Sequence, residues 1–304
     1  MRRLLLVTNA NARWVTGYRR EVIARALSAE FAVEVAETEG PGHAIGLARE
    51  AASGGVDLVV ALGGDGTVNE VANGLAGTAT PMAILPAGGV NVFARSLGLP
   101  EDPVEATGLL LHRVGAPARR ISLGRAEDRF FTVSCGVGFD AAIVRHVERR
   151  QGMKRTAGDW FFVWSGLRVF FLGYRRRRPR VHLAWGADLE HRRGGLHLAI
   201  IQNTGPYTYW GRRGLRLCPH ASLDRGLDCF AMDSMGTARV LRVVLRAFGS
   251  GGHVRDRHVL YLEDQARVVV ECDEPMPVQA DGEFLGERQR LAVESVPAAL
   301  SVLC

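Results

Sequence analysis

The sequence predicts an α/β N-terminal domain built on a parallel sheet, followed by a mainly antiparallel β C-terminal domain. Three observations lead there. Residues 3–86 alternate short apolar runs with helix-like stretches, whereas from about residue 121 the rhythm changes to short strands parted by turn residues. A chain of 304 residues is also long enough to bury two cores. The expected division is 1–120 and 121–294, and the tail VPAALSVLC is a candidate strand or helix by which residues 295–304 return to the first domain.

In order, RLLLVT (3–8) reads as a buried strand and YRREVIARALSAE (18–30) as an amphipathic helix. FAVEVAET (31–38) alternates like a strand, HAIGLAREAASGG (43–55) is helical and ends on glycines, and DLVVALGG (57–64) is an apolar strand. NEVANGLAG follows as a helix and PMAILPAGG as a strand with its loop. In such sheets ligands bind beyond the carboxyl ends of the strands, where GGDGT and PAGG both lie. The second half offers RRISLG, RFFTVSCG, PRVHLAW, GGLHLAIIQN, GLDCFAMD, HVLYLED, ARVVVECD and MPVQADGEF as strands, with helical periodicity returning only over 140–174.

Composition narrows the class. With 47% apolar and 23% charged residues the chain is an ordinary globular one, and no run approaches the ~18 apolar residues of a spanning helix. The five cysteines form no C-x-x-C pair, which argues against a disulfide framework or a zinc site. MRRLLLVTNA is too short in its apolar part for a secretion signal, so the expected location is cytoplasmic. Lys154 is the only lysine; every other strong base is arginine, whose fork grips phosphates in pairs of bonds. Residues 149–180 hold ten Lys/Arg and one acid, a net +9 in a chain of net +6, which leaves −3 elsewhere. The protein therefore carries one basic region that seeks phosphates.

GGDGT ends a buried strand and opens a helix, so its backbone N–H groups and the helix dipole favour an anion. It is neither a P-loop, lacking the following Lys-Ser/Thr, nor a G-x-G-x-x-G turn. Asp65 among these glycines would repel a phosphate unless a cation lay between, which suits a carboxylate directed at Mg²⁺ beside a nucleotide. A tight turn with a capping Asp would look the same in isolation.

The surrounding residues, G-G-D-G-T-V-N-E-V-A-N-G-L, resemble the nucleotide motif of the diacylglycerol kinase catalytic family, which includes bacterial lipid kinases and sphingosine kinases. VTNANARWVTG, Thr38 with GPGHA, LPAGGVNVFARSLGLP, NTGPYTYWGRRGLRLCPHASLDRGLDCF and VQADGEFLG stand, in order, where that family has its further motifs. The resemblance covers nearly the whole chain and implies an NAD kinase/diacylglycerol kinase-like fold with phosphoryl transfer from ATP to a lipid hydroxyl. It also implies that Asn9, Arg13, Thr38, Gly63, Gly64, Asp65, Gly66, Thr67, Asn69, Glu70, Gly88, Gly89 and Asn91 line the nucleotide. Asp65 would manage Mg²⁺, and Glu283 of D-G-E would be the general base. That role fits the chemistry, since a lipid alcohol is a poor nucleophile until a positioned carboxylate accepts its proton.

Three acids of the family are missing: Val92, Ser122 and Arg225 stand in their places. A structural Mg²⁺ near Arg225 is therefore doubtful; its guanidinium would occupy the cation's place and pair with Asp224 or Asp228. These losses keep open an inactive lipid- or nucleotide-binding relative, and the likeness of GGDGT to the motif of NAD kinases keeps open an NAD kinase-like enzyme.

KRTAGDWFFVWSGLRVFFLGYRRRRPR (154–180) combines an apolar aromatic stretch with flanking arginines. It suits an interfacial helix on anionic lipid as well as a helix buried against the β domain. Residues this apolar favour membrane over nucleic acid, which is not an expected partner. The expected partners are a lipid substrate, the inner face of the membrane as a peripheral contact through 149–180, and a second copy of the chain as a homodimer.

Overall fold

The computed structural model describes residues 1–9, 16–149, 164–174, 178 and 180–304. Two compact units emerge, Met1–Leu123 with Pro297–Cys304, and Gly124–Val296.

The first unit runs β1 (Arg2–Thr8), α1 (Gly17–Leu27), β2 (Phe31–Glu37), α2 (His43–Ser53), β3 (Leu58–Gly63), α3 (Asp65–Leu75), β4 (Met82–Pro86), a short α4 (Val92–Ser96) and α5 (Pro103–His112). The strands form a parallel sheet in the order β2-β1-β3-β4, and Val302 extends it in parallel beside Met82. Period-2 alternation decides what each strand buries. Leu4, Leu6, Leu58, Val60 and Leu62 pack with Ile23 and Leu27 of α1 and Ala106 and Leu110 of α5. Helices α2 and α3 pack on each other and against β1 and β3. The caps are local: Thr16 Oγ1 accepts from Arg19 N–H, and Asp102 accepts from Val104 and Glu105 N–H with Pro103 opening α5.

The second unit contains β6 (Arg129–Phe131), β7 (Ser134–Gly138), α6 (Phe139–Glu148), β8 (Val181–Trp185), β9 (His191–Leu196), β10 (Leu198–Gln202), the hairpin β11 (Thr208–Trp210) and β12 (Arg213–Leu215), β13 (Leu227–Met232), a helix at Thr237–Phe248, β14 (Val259–Gln265) and β15 (Arg267–Ala280). Strand β5 (Arg119–Ala126) leads into it and β16 (Glu283–Val302) leads out. Its sheet is antiparallel in the order β14-β13-β10-β7-β15, with β8 on the other half of β15. The core gathers Phe131, Val137, Ile201, Phe230, Val268, Val278 and Val293.

The structure differs from the sequence reading in places. RFFTVSCG is two strands, parted where Thr132 and Val133 turn to hold Asp281; ARVVVECD and the MPVQA of MPVQADGEF are one long strand, while its Glu283 and Phe284 open the next. The helix Thr237–Phe248 is not anticipated by the strand-dominated reading of this half. Within 140–174, α6 ends at Glu148, residues 164–169 are helical, and Phe170–Tyr174 form a π-helical turn.

Candidate active site

Parallel pairing brings the carboxyl ends of β1, β2, β3 and β4 to one edge of the first unit. Asn9, Thr38, the Gly63–Thr67 turn and the Gly88–Asn91 loop therefore share that edge. Arg13 lies outside the described residues. Thr38 N–H donates to the Thr8 carbonyl at 2.9 Å, and among the described residues the buried Thr8 hydroxyl beside it has no hydrogen-bond partner.

The two glycine loops touch each other through backbone. A Cβ on Gly88 would lie 2.6 Å from the Gly64 Cα and 2.8 Å from Asn91 Oδ1, so only glycine permits this approach. Ala87 N–H donates to the Gly63 carbonyl at 2.8 Å. Asn91, in the left-handed conformation at φ 51°, closes its own loop by accepting from Gly88 N–H at 2.9 Å and donating to the Gly88 carbonyl at 3.1 Å. Asp65 opens α3 and its Oδ1 accepts from Phe93 N–H at 3.4 Å, which sets the carboxylate where the two loops meet. Gly88→Ala is accordingly expected to cost about 1–3 kcal/mol of stability in urea unfolding. Gly89→Ala, where a Cβ meets nothing within 4 Å, should stay within about 0.5 kcal/mol.

Glu70 lies further in. Both its carboxylate oxygens are engaged, accepting from Gly42 N–H at 2.8 Å and Ala44 N–H at 3.0 Å, so it caps α2 from α3 and holds the loop after Thr38. Asn69 is buried and lies one turn from Asn73, which donates to it. His43 accepts from Glu39 N–H within the same loop.

In the second unit, Glu283 follows a turn built by Asp281 and Gly282. Asp281 Oδ2 accepts from the N–H and hydroxyl of Thr132 at 2.6 and 2.7 Å, and its Oδ1 from Val133 and Ser134 N–H, both at 2.9 Å. The turn needs φ 45° at Asp281 and 82° at Gly282, which Asp tolerates and glycine adopts freely. Glu283 itself accepts from Arg129 Nη2 at 2.6 Å and lines a cavity of about 300 Å³ with Arg129, Arg288, Val278, Leu285 and Leu291.

Helix α6 secures this turn from both ends. Glu148 in its last turn accepts from Phe284 N–H at 2.9 Å. Asp140 in its first turn is buried, accepting from the Tyr207 hydroxyl and, at 2.7 Å, from Gln279 Nε2, whose Oε1 accepts from Gly282 N–H at 2.8 Å. Burial pushes the Asp140 carboxyl above its usual range, against the lowering effect of these two hydrogen bonds. The native state thus holds that proton more tightly than the unfolded chain does. The stability tied to it is complete below about pH 4 and is lost as the pH rises through the folded value. Asp140→Asn is expected to flatten this slope: between about pH 4 and about pH 7, urea unfolding should show a smaller loss for the variant than for the native sequence.

The three departures from the family pattern are placed as follows. Val92 is buried at the start of α4, and Ser122 is buried in β5. Arg225 faces Glu263 at 3.9 Å and Asp264 at 3.8 Å, acids beyond the two expected, and its charge also acts on Asp228. Asp228 accepts in addition from the Tyr261 hydroxyl and from Asp264 N–H. Among the described residues no group of three His, Cys, Asp or Glu is arranged to hold a metal.

Of the basic aromatic segment, residues 150–163, 175–177 and 179 lie outside the described residues. Phe170 and Tyr174 are buried, edge-on to Phe139, whereas Trp164, Leu167 and Phe171 are exposed. Arg168 stacks over the Trp164 ring and, with Arg145 and Arg149, lines a cavity of about 560 Å³. No helix among the described residues is long and apolar enough to cross a membrane.

Comparison with known proteins agrees with this arrangement. The diacylglycerol kinase catalytic domain model matches residues 3–125, and the YegS C-terminal NAD kinase beta sandwich-like domain model matches 133–304. The chain is 29% identical over 271 residues to a diacylglycerol kinase of Bacillus subtilis, covering 88% of this chain and 84% of the relative. It is 32% identical over 264 residues to a diacylglycerol kinase of Mycobacterium tuberculosis, covering 84% and 80%. A solved structure described as a candidate diacylglycerol kinase of Bacillus anthracis superposes with a TM-score of 0.78 over 99% of this chain and 96% of that one, at 21% identity, a likeness of fold. With both halves matched in order and relatives aligned along most of its length, the chain belongs to the diacylglycerol kinase family and is a lipid kinase.

Proposed function

We propose that the protein transfers the γ-phosphate of ATP to the hydroxyl of diacylglycerol. The observation that carries this reading is the survival of both chemical positions in supported settings: Asp65 where the two glycine loops meet, and Glu283 on a turn held from three sides. The N–H groups of Gly64–Thr67 and Gly89 would hold the phosphates, with Asn9, Thr38 and the buried Thr8 hydroxyl at the same sheet edge. Asp65 is a family carboxylate kept there, Val92 and Ser122 having replaced others. It fits a Mg²⁺ that arrives with the nucleotide and draws most of its ligands from phosphate and water. The metal would offset charge on the transferring group.

Glu283 takes the proton of the lipid hydroxyl as that oxygen bonds to the γ-phosphorus and the bond to the β-phosphate oxygen breaks, and the proton then passes to solvent. Arg129 fixes the direction of Glu283, and the apolar wall of Val278, Leu285 and Leu291 offers the acyl side of a substrate a place away from water. The lipid chain also requires a bilayer contact, for which the exposed Trp164, Leu167 and Phe171 are suited.

Incubation with ATP, Mg²⁺ and separate micelles of diacylglycerol, a sphingoid base and, in solution, NAD tests the substrate. Phosphatidic acid as the main product is expected; phosphorylated NAD, or nucleotide binding with no phosphorylated product, would overturn the assignment.

A further inference from the structure

The helix Thr237–Phe248 breaks a rule for surface helices, which normally turn polar residues to water. It buries Val243 and Ala247, yet the middle of its outward side is apolar: Leu241 is 58% exposed and Leu245 63%. Its only charged residues are Arg239, Arg242 and Arg246, which fall on one stripe beside those leucines, and it contains no acid. The exposed Arg216 is tied to the end of this helix, its N–H donating to the Ala247 carbonyl at 3.0 Å. Across segments 207–216 and 237–257 there are eight arginines and a single acid, Asp256, which Arg246 faces at 4.0 Å.

We infer that this helix docks the protein on an anionic lipid bilayer, Leu241 and Leu245 entering the headgroup–acyl boundary and the arginine stripe reaching lipid phosphates. The chemistry decides the occupant. Two leucines flanked by arginines match a surface that is apolar below and negative above. A second copy docking on the same face would bring three more arginines and no carboxylate to pair with them. The inference rests on the lipid-kinase reading for its purpose, since an enzyme whose substrate sits in a bilayer must reach it, but its measurement needs no turnover. It also concerns residues other than those of the 149–180 segment.

The test is flotation of the full chain with vesicles of phosphatidylcholine alone and of phosphatidylcholine with phosphatidylglycerol. The expected result is binding to the anionic vesicles, weakened roughly tenfold or more by Leu241→Gln with Leu245→Gln, and about fivefold by Arg242→Gln. Both variants should keep the native thermal unfolding profile and unchanged phosphorylation of a water-soluble short-chain diacylglycerol. Loss of that activity in the native chain with vesicle binding intact would count against the kinase reading alone. Failure of the native chain to bind anionic vesicles would overturn the docking proposal, as would a leucine double variant that floats like the native chain. A double variant that turns a dimer into a monomer without changing flotation would assign the face to a second copy and overturn it equally.

Discussion

Glu283→Gln is expected to lower the rate of lipid phosphorylation by about 10²–10⁴ while leaving ATP affinity and thermal stability at native levels. The magnitude is that of removing a positioned general base. The variant is selective because glutamine keeps the length of the side chain and an oxygen that accepts from Arg129, the group that directs Glu283 at 2.6 Å. The turn beneath it is built by Asp281 and Gln279 and by α6, none of which the substitution touches. Initial rates at saturating ATP, with binding measured separately by calorimetry, distinguish a lost base from a lost site. A rate within a few-fold of the native chain would remove Glu283 from the chemistry.

Asp281→Ala is the largest stability effect expected in the second unit, a loss of about 3–5 kcal/mol in urea unfolding. Its carboxylate gathers four donors from Thr132, Val133 and Ser134, so truncation leaves several half-buried groups unpaired at once. Alanine also pays for the positive φ that aspartate tolerates. Asp281→Asn should fall between, keeping one oxygen as an acceptor but presenting an amide to N–H donors. Because Glu283 is two residues on, activity should fall with stability in this series, unlike the Glu283→Gln case. A change below about 1 kcal/mol for Asp281→Ala would mean that the turn is held elsewhere.

Much of the first unit was legible because its signals are local. Period-2 and fully apolar runs mark β1 to β4 to within a residue or two, and GGDGT and PAGG announce the sheet edge where they lie. The second unit was less legible. Strand β15 reads as two strands because Asp273–Pro275 interrupts its apolar pattern, although the backbone continues through a register shift opposite β16. The helix Thr237–Phe248 was missed although Arg239, Arg242 and Arg246 recur at helical spacing, because the strand-like runs on both sides set the expectation.

The site divides in the same way. Motif residues could be named from sequence, but not what supports them. Arg129 meets Glu283 across 154 positions, Glu70 turns away to cap α2, and Asp140 reaches Gly282 only through Gln279. Such contacts depend on tertiary folding and leave no periodic trace. Glu263 and Asp264 could not be assigned to Arg225 for a related reason: which acids surround it depends on β14 lying beside β13.

The most direct measurement is transfer of label from γ-labelled ATP, with Mg²⁺, into lipid of diacylglycerol-containing vesicles, run with the native chain and Glu283→Gln side by side. Label in phosphatidic acid for the native chain, reduced by at least about a hundredfold in the variant, is the predicted result. Equal labelling by both proteins, or no labelled lipid from a native chain that binds ATP, would contradict the proposed chemistry.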